Sequence, residues 1–185
     1  MKKLLLLPLL LQTLPLFAAE RTIELDPART KIAFTLVTSV HTVHGTFKLK
    51  RGTMKLDSAT GAASGEVVVD VPSGDSDNGM RDRRMQKEIL ESPRYPDAVF
   101  IPDHVTGELA PTGASQLDVH GTFQLHGSSH EMTLHFMAEN KGSEVVTSTT
   151  FMIPYVAWGI KNPGNFLIKV NDNVEMTIQA TAKLQ

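Results

Sequence analysis

One helix-like segment interrupts a chain whose other segments alternate like β-strands. Between Asn78 and Ser92, the apolar residues Met85, Ile89 and Leu90 recur at roughly helical spacing, and Ser92-Pro93 provides a stop. Four residues are candidate N-caps, namely Asp75, Ser76, Asp77 and Asn78. A single helix among many strands excludes most architectures and favours a barrel or sandwich with one crossover.

The other face of this predicted helix is charged. Arg84 and Glu88 lie four residues apart, as do Lys87 and Glu91, and such pairs stabilise an exposed helix face. The cluster is therefore interpreted first as a solvated face above a barrel. A second interpretation is a basic rim, formed by Arg81, Arg83 and Arg84, that meets an anionic head group.

Strands are predicted throughout the first half of the remaining chain. Ile32, Phe34 and Leu36 alternate with polar or small residues, and the same pattern runs through 43–49. A tight turn is predicted at Arg51-Gly52, with a strand over 52–56 after it. The segments 67–71 and 99–105 complete this set.

Two hairpins are predicted in the second half. Alternating apolar residues over 117–125 and 132–138 form one hairpin, with 126–129 as its loop. That loop pairs Phe123 with Met132 and Val119 with Phe136, and places His120 opposite His135. The closing hairpin is predicted to join 166–170 to 174–181 through Asn171-Asp172-Asn173.

The strand pattern predicts a mainly β fold. Many antiparallel strands with a single crossover helix favour an extended up-and-down β-barrel of the lipocalin type over a sandwich. No repeat or linker divides the chain, so residues 20–185 are expected to form one domain.

The first nineteen residues predict the compartment. Lys2-Lys3, an apolar run over 4–17 and Ala18-Ala19 have the order of a secretory signal peptide, with cleavage expected after Ala19 and after Ala18 as the alternative. Its removal changes the formal net charge from −2 to −4, and this mild acidity argues against a nucleic-acid partner. We expect a periplasmic protein, and the absence of cysteine excludes disulfides and thiolate metal sites.

Catalytic and metal motifs are weak. The seven histidines lack the spacing of a three-ligand zinc site, since His41 and His44 lie in a strand entry and His120 and His135 on an outward face. No Gly-x-Ser-x-Gly elbow, paired acids or phosphate loop is visible. We therefore predict no enzyme activity, no catalytic residues, no functional metal and no cofactor.

The ordered motifs of the chain resemble the YceI-like family of exported, lipocalin-like proteins associated with polyisoprenoid lipids. The motifs that carry the resemblance are Ile23-Glu24-Leu25-Asp26-Pro27-Ala28, Val43-His44-Gly45-Thr46-Phe47, Gly52-Thr53-Met54-Lys55-Leu56-Asp57, Asn78-x-x-Arg81-Asp82, Tyr95-Pro96 with Phe100, Leu125-His126-Gly127 and Val174-Glu175-Met176-Thr177-Ile178. They cover almost all of the chain after residue 19.

The resemblance implies an apolar channel that binds the chain of a polyprenyl phosphate or quinone, with the helix as its lid or rim. The inward-facing residues that would contact the lipid are Ile32, Phe34, Leu36, Phe47, Val69, Phe100, Phe123, Leu134, Phe136, Phe151, Trp158, Met176 and Ile178. For any one phenylalanine, plain core packing is the alternative. The function expected is that of a periplasmic carrier or sequestering protein for an isoprenoid lipid or quinone.

A second function stays open at the level of sequence. A packed barrel without a ligand would act as a protein- or membrane-interaction module, with an exposed Tyr155–Trp158 region contacting a membrane or a redox partner. Transient contact with the membrane surface or with a membrane redox protein, and a homodimer, are partner hypotheses under either function.

Overall fold

Nine β-strands and one short helix make up the computed structural model, which describes residues 20–185. The predicted signal peptide at 1–19 lies outside the described residues. The strands are β1 (Glu20–Leu25), β2 (Lys31–Val37), β3 (Thr42–Asp57), β4 (Ala63–Asp75), β5 (Asp97–Thr106), β6 (Gly113–Leu125), β7 (Ser128–Asn140), β8 (Glu144–Ile153) and β9 (Val174–Leu184).

The strands close into an antiparallel up-and-down barrel. Each strand from β2 to β9 pairs with the next in sequence, and β9 pairs back onto β2. β1 and β2 share one position between β3 and β9, separated by a 3₁₀ turn at Pro27–Arg29. The barrel thus has eight strand positions, which confirms the predicted fold class.

The helix follows β4, and of the four candidate N-caps it is Asn78 that caps it. The Asn78 side chain accepts hydrogen bonds from the backbone N–H groups of Met80 and Arg81 at 3.2 and 3.1 Å. Helix α1 (Gly79–Arg84) then widens into a π-helical turn over Met85–Ile89, so it is shorter than the predicted segment. The Gln86 amide donates to the Val71 carbonyl at 2.9 Å and fixes the helix to β4.

The β6–β7 hairpin is confirmed, but its predicted register is wrong by two residues. Leu125 pairs with Ser128, so the turn consists of His126 and Gly127 alone, with φ values of 52° and 79°. Such two-residue turns match the twist of the flanking strands. His120 therefore lies opposite Thr133, and a shift of two residues leaves every side chain on its predicted face.

Two further local predictions are wrong. β3 continues through Arg51-Gly52 without a turn. The Leu25 side chain lies against Gly52, and because an added Cβ would meet Leu25 Cδ1 at 2.6 Å, a larger residue would require that side chain to shift. Residues 166–170 form no strand apart from a bridge between Thr38 and Val170. The strand that pairs with β9 in the closing hairpin is β8.

Pairing between neighbouring strands is interrupted toward the end of the barrel where β4 ends and where β8 leads into its connection to β9. β4 and β5 pair only over 67–70 and 97–100, and β7 and β8 only over 137–140 and 145–148. The chain beyond these ladders carries α1 and the long connection from Ile153 to Val174. We call this the helix end of the barrel.

Candidate functional site, an apolar cavity at the helix end

A cavity of about 550 Å³ occupies the interior at the helix end. Its walls come from inward-facing strand residues, from α1 and its π-turn, from the β2–β3 turn and from the β8–β9 connection. The apolar strand residues among them are Ile32, Phe34, Leu36, Val43, Phe47, Val69, Val71, Ala98, Phe123, Leu125, Phe151, Ile153, Val174, Met176 and Ile178.

The cavity exists because the sheet opens where α1 covers it. Once β4 and β5 stop pairing, the π-helical turn supplies the wall, with Met85, Ile89 and Leu90 facing inward. Ile89 is buried, and the other two are half-buried. The predicted apolar face of the helix therefore lines the cavity, and its charged face is exposed.

Polar side chains of the lining are concentrated at the mouth, where the connections meet. They are Thr38, His41, Ser76, Asn78, Arg81, Arg84 and Asn165. Deeper in the barrel the lining is hydrocarbon apart from the Tyr155 hydroxyl. A ligand with a long apolar chain and a polar end would match this division.

Arg81 is held inside a local network. Its Nε donates to Ser76 Oγ at 2.7 Å, and its terminal N–H donates to the Ser76 carbonyl. The Ser76 hydroxyl and backbone N–H both donate to Asp82 Oδ1. Arg81 therefore stabilises the β4–α1 corner in addition to lining the mouth.

Arg84 is the more accessible cation of the mouth. It lies 3.3 Å from Glu88 in the predicted i, i+4 pair, and its side chain is 46% exposed. Exposed pairs of this type contribute little stability, so Arg84 is available to an anionic group at the mouth. Arg83, the third residue of the predicted basic rim, is exposed and does not line the cavity.

Tyr155 closes part of the cavity from the β8–β9 connection. It is buried, and its hydroxyl donates to the Asn171 carbonyl at 2.7 Å. Burial, with a smaller contribution from Asp172, raises the pKa of Tyr155 to about 12. The expectation of an exposed Tyr155–Trp158 region is wrong for Tyr155, because the ring packs inward with Ile153 and Ile160.

Nine of the thirteen residues predicted to contact a lipid line this cavity. They are Ile32, Phe34, Leu36, Phe47, Val69, Phe123, Phe151, Met176 and Ile178. All nine come from strands and face inward by the alternation of the sequence. Their contact with a lipid stays a prediction.

The other four predicted residues lie outside the lining. Phe100 and Leu134 are buried in the core, and Phe136 packs half-buried against it. Phe136 pairs with Leu117 and Leu134 with Val119, farther from the helix end, where the interior is filled by side chains. Alternation shows that these residues face inward but not how deep they lie along the barrel.

Trp158, the fourth of these residues, packs on the inner face of the β6–β7 hairpin. Its ring stacks on His130 with centroids 3.9 Å apart and lies 5.9 Å from Phe123. Phe123 lines the cavity, so Trp158 packs beside a lining residue without lining the cavity itself. The only tryptophan of the chain is therefore placed to report changes in the cavity by fluorescence.

Sequence reasoning missed most of the mouth. The lining residues of the β2–β3 turn and of the β8–β9 connection, among them His41, Asn165 and Ile168, carry no periodic signal. Backbone hydrogen bonds join the two segments, from Ser39 N to Lys169 O and from Asn171 N to Val37 O. The Asn-Pro-Gly-Asn sequence at 162–165 was the available sign of a structured loop.

Two surface histidines hydrogen-bond to acids: His120 Nδ1 donates to Asp103 at 2.7 Å and His135 Nδ1 to Asp118 at 2.6 Å. The predicted direct pair of His120 with His135 is wrong, because His120 lies opposite Thr133 and His135 opposite Asp118. The Asp103 hydrogen bond raises the pKa of His120. Within residues 20–185, no three His, Asp or Glu side chains are grouped as metal ligands. No helix in the same part of the chain is long and apolar enough to cross a membrane.

Comparison with known proteins identifies relatives over most of the chain. A family model described as the YceI-like domain matches residues 24–182. UPF0312 proteins of Pseudomonas savastanoi pv. phaseolicola and Pseudomonas syringae pv. tomato are 30% identical over 131 residues, which is 66% of this chain and 66% of theirs.

Solved structures share the fold at low identity. Burkholderia cenocepacia BcnA superposes with a TM-score of 0.70 at 19% identity, over 86% of this chain and 99% of that one. A polyisoprenoid-binding domain from Saccharophagus degradans, implicated in plant cell wall breakdown, gives 0.65 at 15%, over 87% and 97%. The Campylobacter jejuni YceI protein gives 0.57 at 14%, over 81% and 80%. At these identities the similarity shows the barrel alone.

Proposed function

The chain belongs to the YceI-like domain family, and on that premise we propose that it binds the hydrocarbon chain of an isoprenoid lipid, of the polyprenyl phosphate or quinone type. The observation that carries this proposal is a hydrocarbon-lined cavity whose polar groups are concentrated at its mouth. The polyisoprenoid-binding domain of Saccharophagus degradans, which has the same fold, supports it. We propose a periplasmic carrier or sequestering role.

The size of the cavity sets the length of chain that it holds. At roughly 30 Å³ for a water-sized group, a volume of about 550 Å³ accommodates about eighteen such groups, or between three and four isoprene units of five carbons. Burial of one unit releases roughly 4 kcal/mol gross, at about 0.8 kcal/mol per apolar carbon. A few units therefore outweigh ordinary association costs without specific polar contacts along the tail.

The head group would remain at the mouth. Arg84 and His41 lie there, and a phosphate or quinone ring at this point keeps contact with water. We propose no catalytic step, because the deeper lining is hydrocarbon and its one hydroxyl, on Tyr155, is engaged with Asn171.

Lipid extraction and titration test this function directly. Residues 20–185 contain every strand of the closed barrel, so the protein is purified without its first nineteen residues. We expect a prenyl lipid in stoichiometric amount in an organic extract analysed by mass spectrometry. Prenyl alcohols of increasing length, added to delipidated protein, should change Trp158 fluorescence with an affinity that rises to about four units and then levels off.

Two half-buried phenylalanines provide a matched pair of variants. Phe151 lines the cavity and Phe136 does not. Phe151→Ala should weaken binding of a four-unit prenyl alcohol about tenfold, because the tail loses an aromatic wall worth about 1.4 kcal/mol. Phe136→Ala should reduce stability and leave affinity within about twofold. An empty extract together with no fluorescence response, or equal losses in both variants, would exclude the cavity as a lipid site.

A further inference from the structure

Large exposed apolar side chains are concentrated around the cavity mouth. Among residues 20–185, eight such side chains are exposed, and five belong to segments that line the mouth or adjoin its lining residues. These five are Val37, Val40, Met80, Phe166 and Leu167. Scattered exposed apolar residues are normal, but a cluster at one site marks an interaction surface.

The most exposed pair is presented by a turn with a fixed backbone. Asn165 N donates to the Ile168 carbonyl at 2.9 Å, and Asn165 Oδ1 accepts from the N–H groups of Leu167 and Ile168, both at 2.9 Å. Asn165 and Ile168 line the cavity, whereas Phe166 is 99% exposed and Leu167 81%. The turn therefore directs two large apolar side chains into water beside the mouth.

The β2–β3 turn repeats this construction. Thr38 Oγ1 accepts from the N–H groups of Val40 and His41 at 3.2 and 3.0 Å, and Val40 is 66% exposed. Backbone hydrogen bonds tie this turn to the β8–β9 connection at Lys169. The two tips thus belong to one surface, with Met80 of α1 lining the same mouth.

Charge at these tips is positive. Lys161 and Lys169 flank the Phe166-Leu167 turn, and residues 154–171 contain no acidic residue. The next residue, Asp172, accepts a hydrogen bond from the Asn162 amide at 2.8 Å. The whole chain is by contrast acidic, with a formal net charge of −2. Lysines beside exposed phenylalanine, leucine and valine are the composition of a surface that enters a lipid headgroup layer.

We propose that this tip surface, Val37, Val40, Met80, Phe166 and Leu167 with Lys161 and Lys169, docks the cavity mouth onto an anionic phospholipid bilayer. The inference rests on the proposed function, because a water-insoluble isoprenoid resides in a bilayer and must pass between it and the cavity. Docking inserts the apolar tips among the headgroups and places the mouth against the layer from which the tail is taken. The lysines contact the anionic headgroups.

Vesicle flotation tests the docking surface. Residues 20–185 are mixed with vesicles of phosphatidylcholine alone or of phosphatidylcholine with phosphatidylglycerol. We expect binding to the anionic vesicles, weaker binding to the neutral ones, and a decrease with added salt. The double variant Phe166→Ser/Leu167→Ser should bind about tenfold more weakly or worse. Since both side chains are exposed, its unfolding midpoint should not change.

Matched controls carry the same changes elsewhere. Met137 and Met152 are exposed on β7 and β8, and Met137→Ser/Met152→Ser should keep vesicle affinity within about twofold. For charge, Lys161→Glu/Lys169→Glu should abolish the preference for anionic vesicles. Lys31→Glu, an exposed lysine at the start of β2, should preserve that preference.

Each outcome separates docking from lipid binding. Prenyl alcohol affinity is measured on the same proteins without vesicles. The docking surface is overturned, and the proposed function left intact, if the protein binds prenyl alcohols but not vesicles. The same holds if the Phe166/Leu167 and Met137/Met152 variants lose vesicle affinity equally. If the unaltered protein binds anionic vesicles but does not bind prenyl alcohols, the proposed function is overturned and the docking surface is not. If the unaltered protein self-associates without binding vesicles, and the Phe166/Leu167 variant does not self-associate, the surface binds a second copy of the chain. That result also overturns membrane docking.

Discussion

A substitution at Ala98 would show whether the interior at the helix end is unfilled space. Ala98 is a small residue of β5, 6% exposed, and its side chain lines the cavity. Ala98→Phe adds about six carbon atoms, roughly the bulk of one isoprene unit, to a cavity that holds between three and four by the volume estimate. The ring should enter that space, so we expect the free energy of unfolding to change by less than about 1 kcal/mol.

The same substitution at Ala138 is the stability control. Ala138 is 3% exposed in β7, and it lies in the core without lining the cavity. Ala138→Phe should overpack its surroundings and cost about 1–3 kcal/mol. Urea unfolding of both variants measures the contrast.

The ring of the Ala98 variant should compete with a bound tail. Displacing one isoprene unit forfeits about 4 kcal/mol at about 0.8 kcal/mol per carbon, an upper limit of about a thousandfold in affinity at 1.4 kcal/mol per decade. A flexible tail recovers part of this by moving toward the mouth, so we expect a loss of about tenfold or more in titrations with a four-unit prenyl alcohol. Two results would refute the reasoning: a destabilisation equal to that of Ala138→Phe, or unchanged affinity in a folded protein.

Two predictions concern ionisable groups. His120 should titrate above its ordinary pKa of 6.5 by NMR because its imidazolium donates to Asp103; Asp103→Asn should lower that pKa, Asp118→Asn should not, and equal effects of the two would contradict the pairing. Between pH 10 and about 12 the folded chain should keep the Tyr155 phenol proton that the unfolded chain releases, so stability should fall as pH rises through this range. Tyr155→Phe should be less stable at neutral pH by about 1 kcal/mol, because it loses the hydrogen bond to Asn171. Measured by urea unfolding, its free energy of unfolding should fall less between pH 10 and about 12 than that of the unaltered protein. An unchanged fall would exclude the buried phenol as the cause of the pH dependence.

The predicted strand faces are correct because alternation records them residue by residue. Leu117, Val119 and Phe123 face inward together, and the two-residue error in the β6–β7 register did not alter this, since a side chain changes face only with an odd shift. The register itself depends on turn geometry. His126 adopts a positive φ, which a histidine in the sequence does not predict. The sequence alone therefore could not distinguish a two-residue turn from a four-residue loop.

The sequence predicted many of the residues that form the walls of the candidate site, but not where the cavity lies along the barrel. Phe151 and Phe136 both alternate as inward residues, yet one lines the cavity and the other packs in the core. The β8–β9 connection contributes Tyr155 and Ile168 to the lining, and its tip exposes Phe166, where a strand was expected. Aperiodic segments of this kind take their conformation from hydrogen bonds to distant parts of the chain, such as that between Ser39 and Lys169.

The sequence by itself determined the mainly β class, the inward faces of strands such as β2, β6 and β9, the single helix with four candidate caps that include Asn78, and the similarity to the YceI-like family. Those properties are local, because they depend on a two-residue period, on one capping side chain or on short motifs. Only the tertiary structure decided that α1 covers an opening between β4 and β5, and that the interior is filled at one end and hollow at the other. Closure of the barrel sets how far apart inward side chains stand, and that distance depends on all the strands at once.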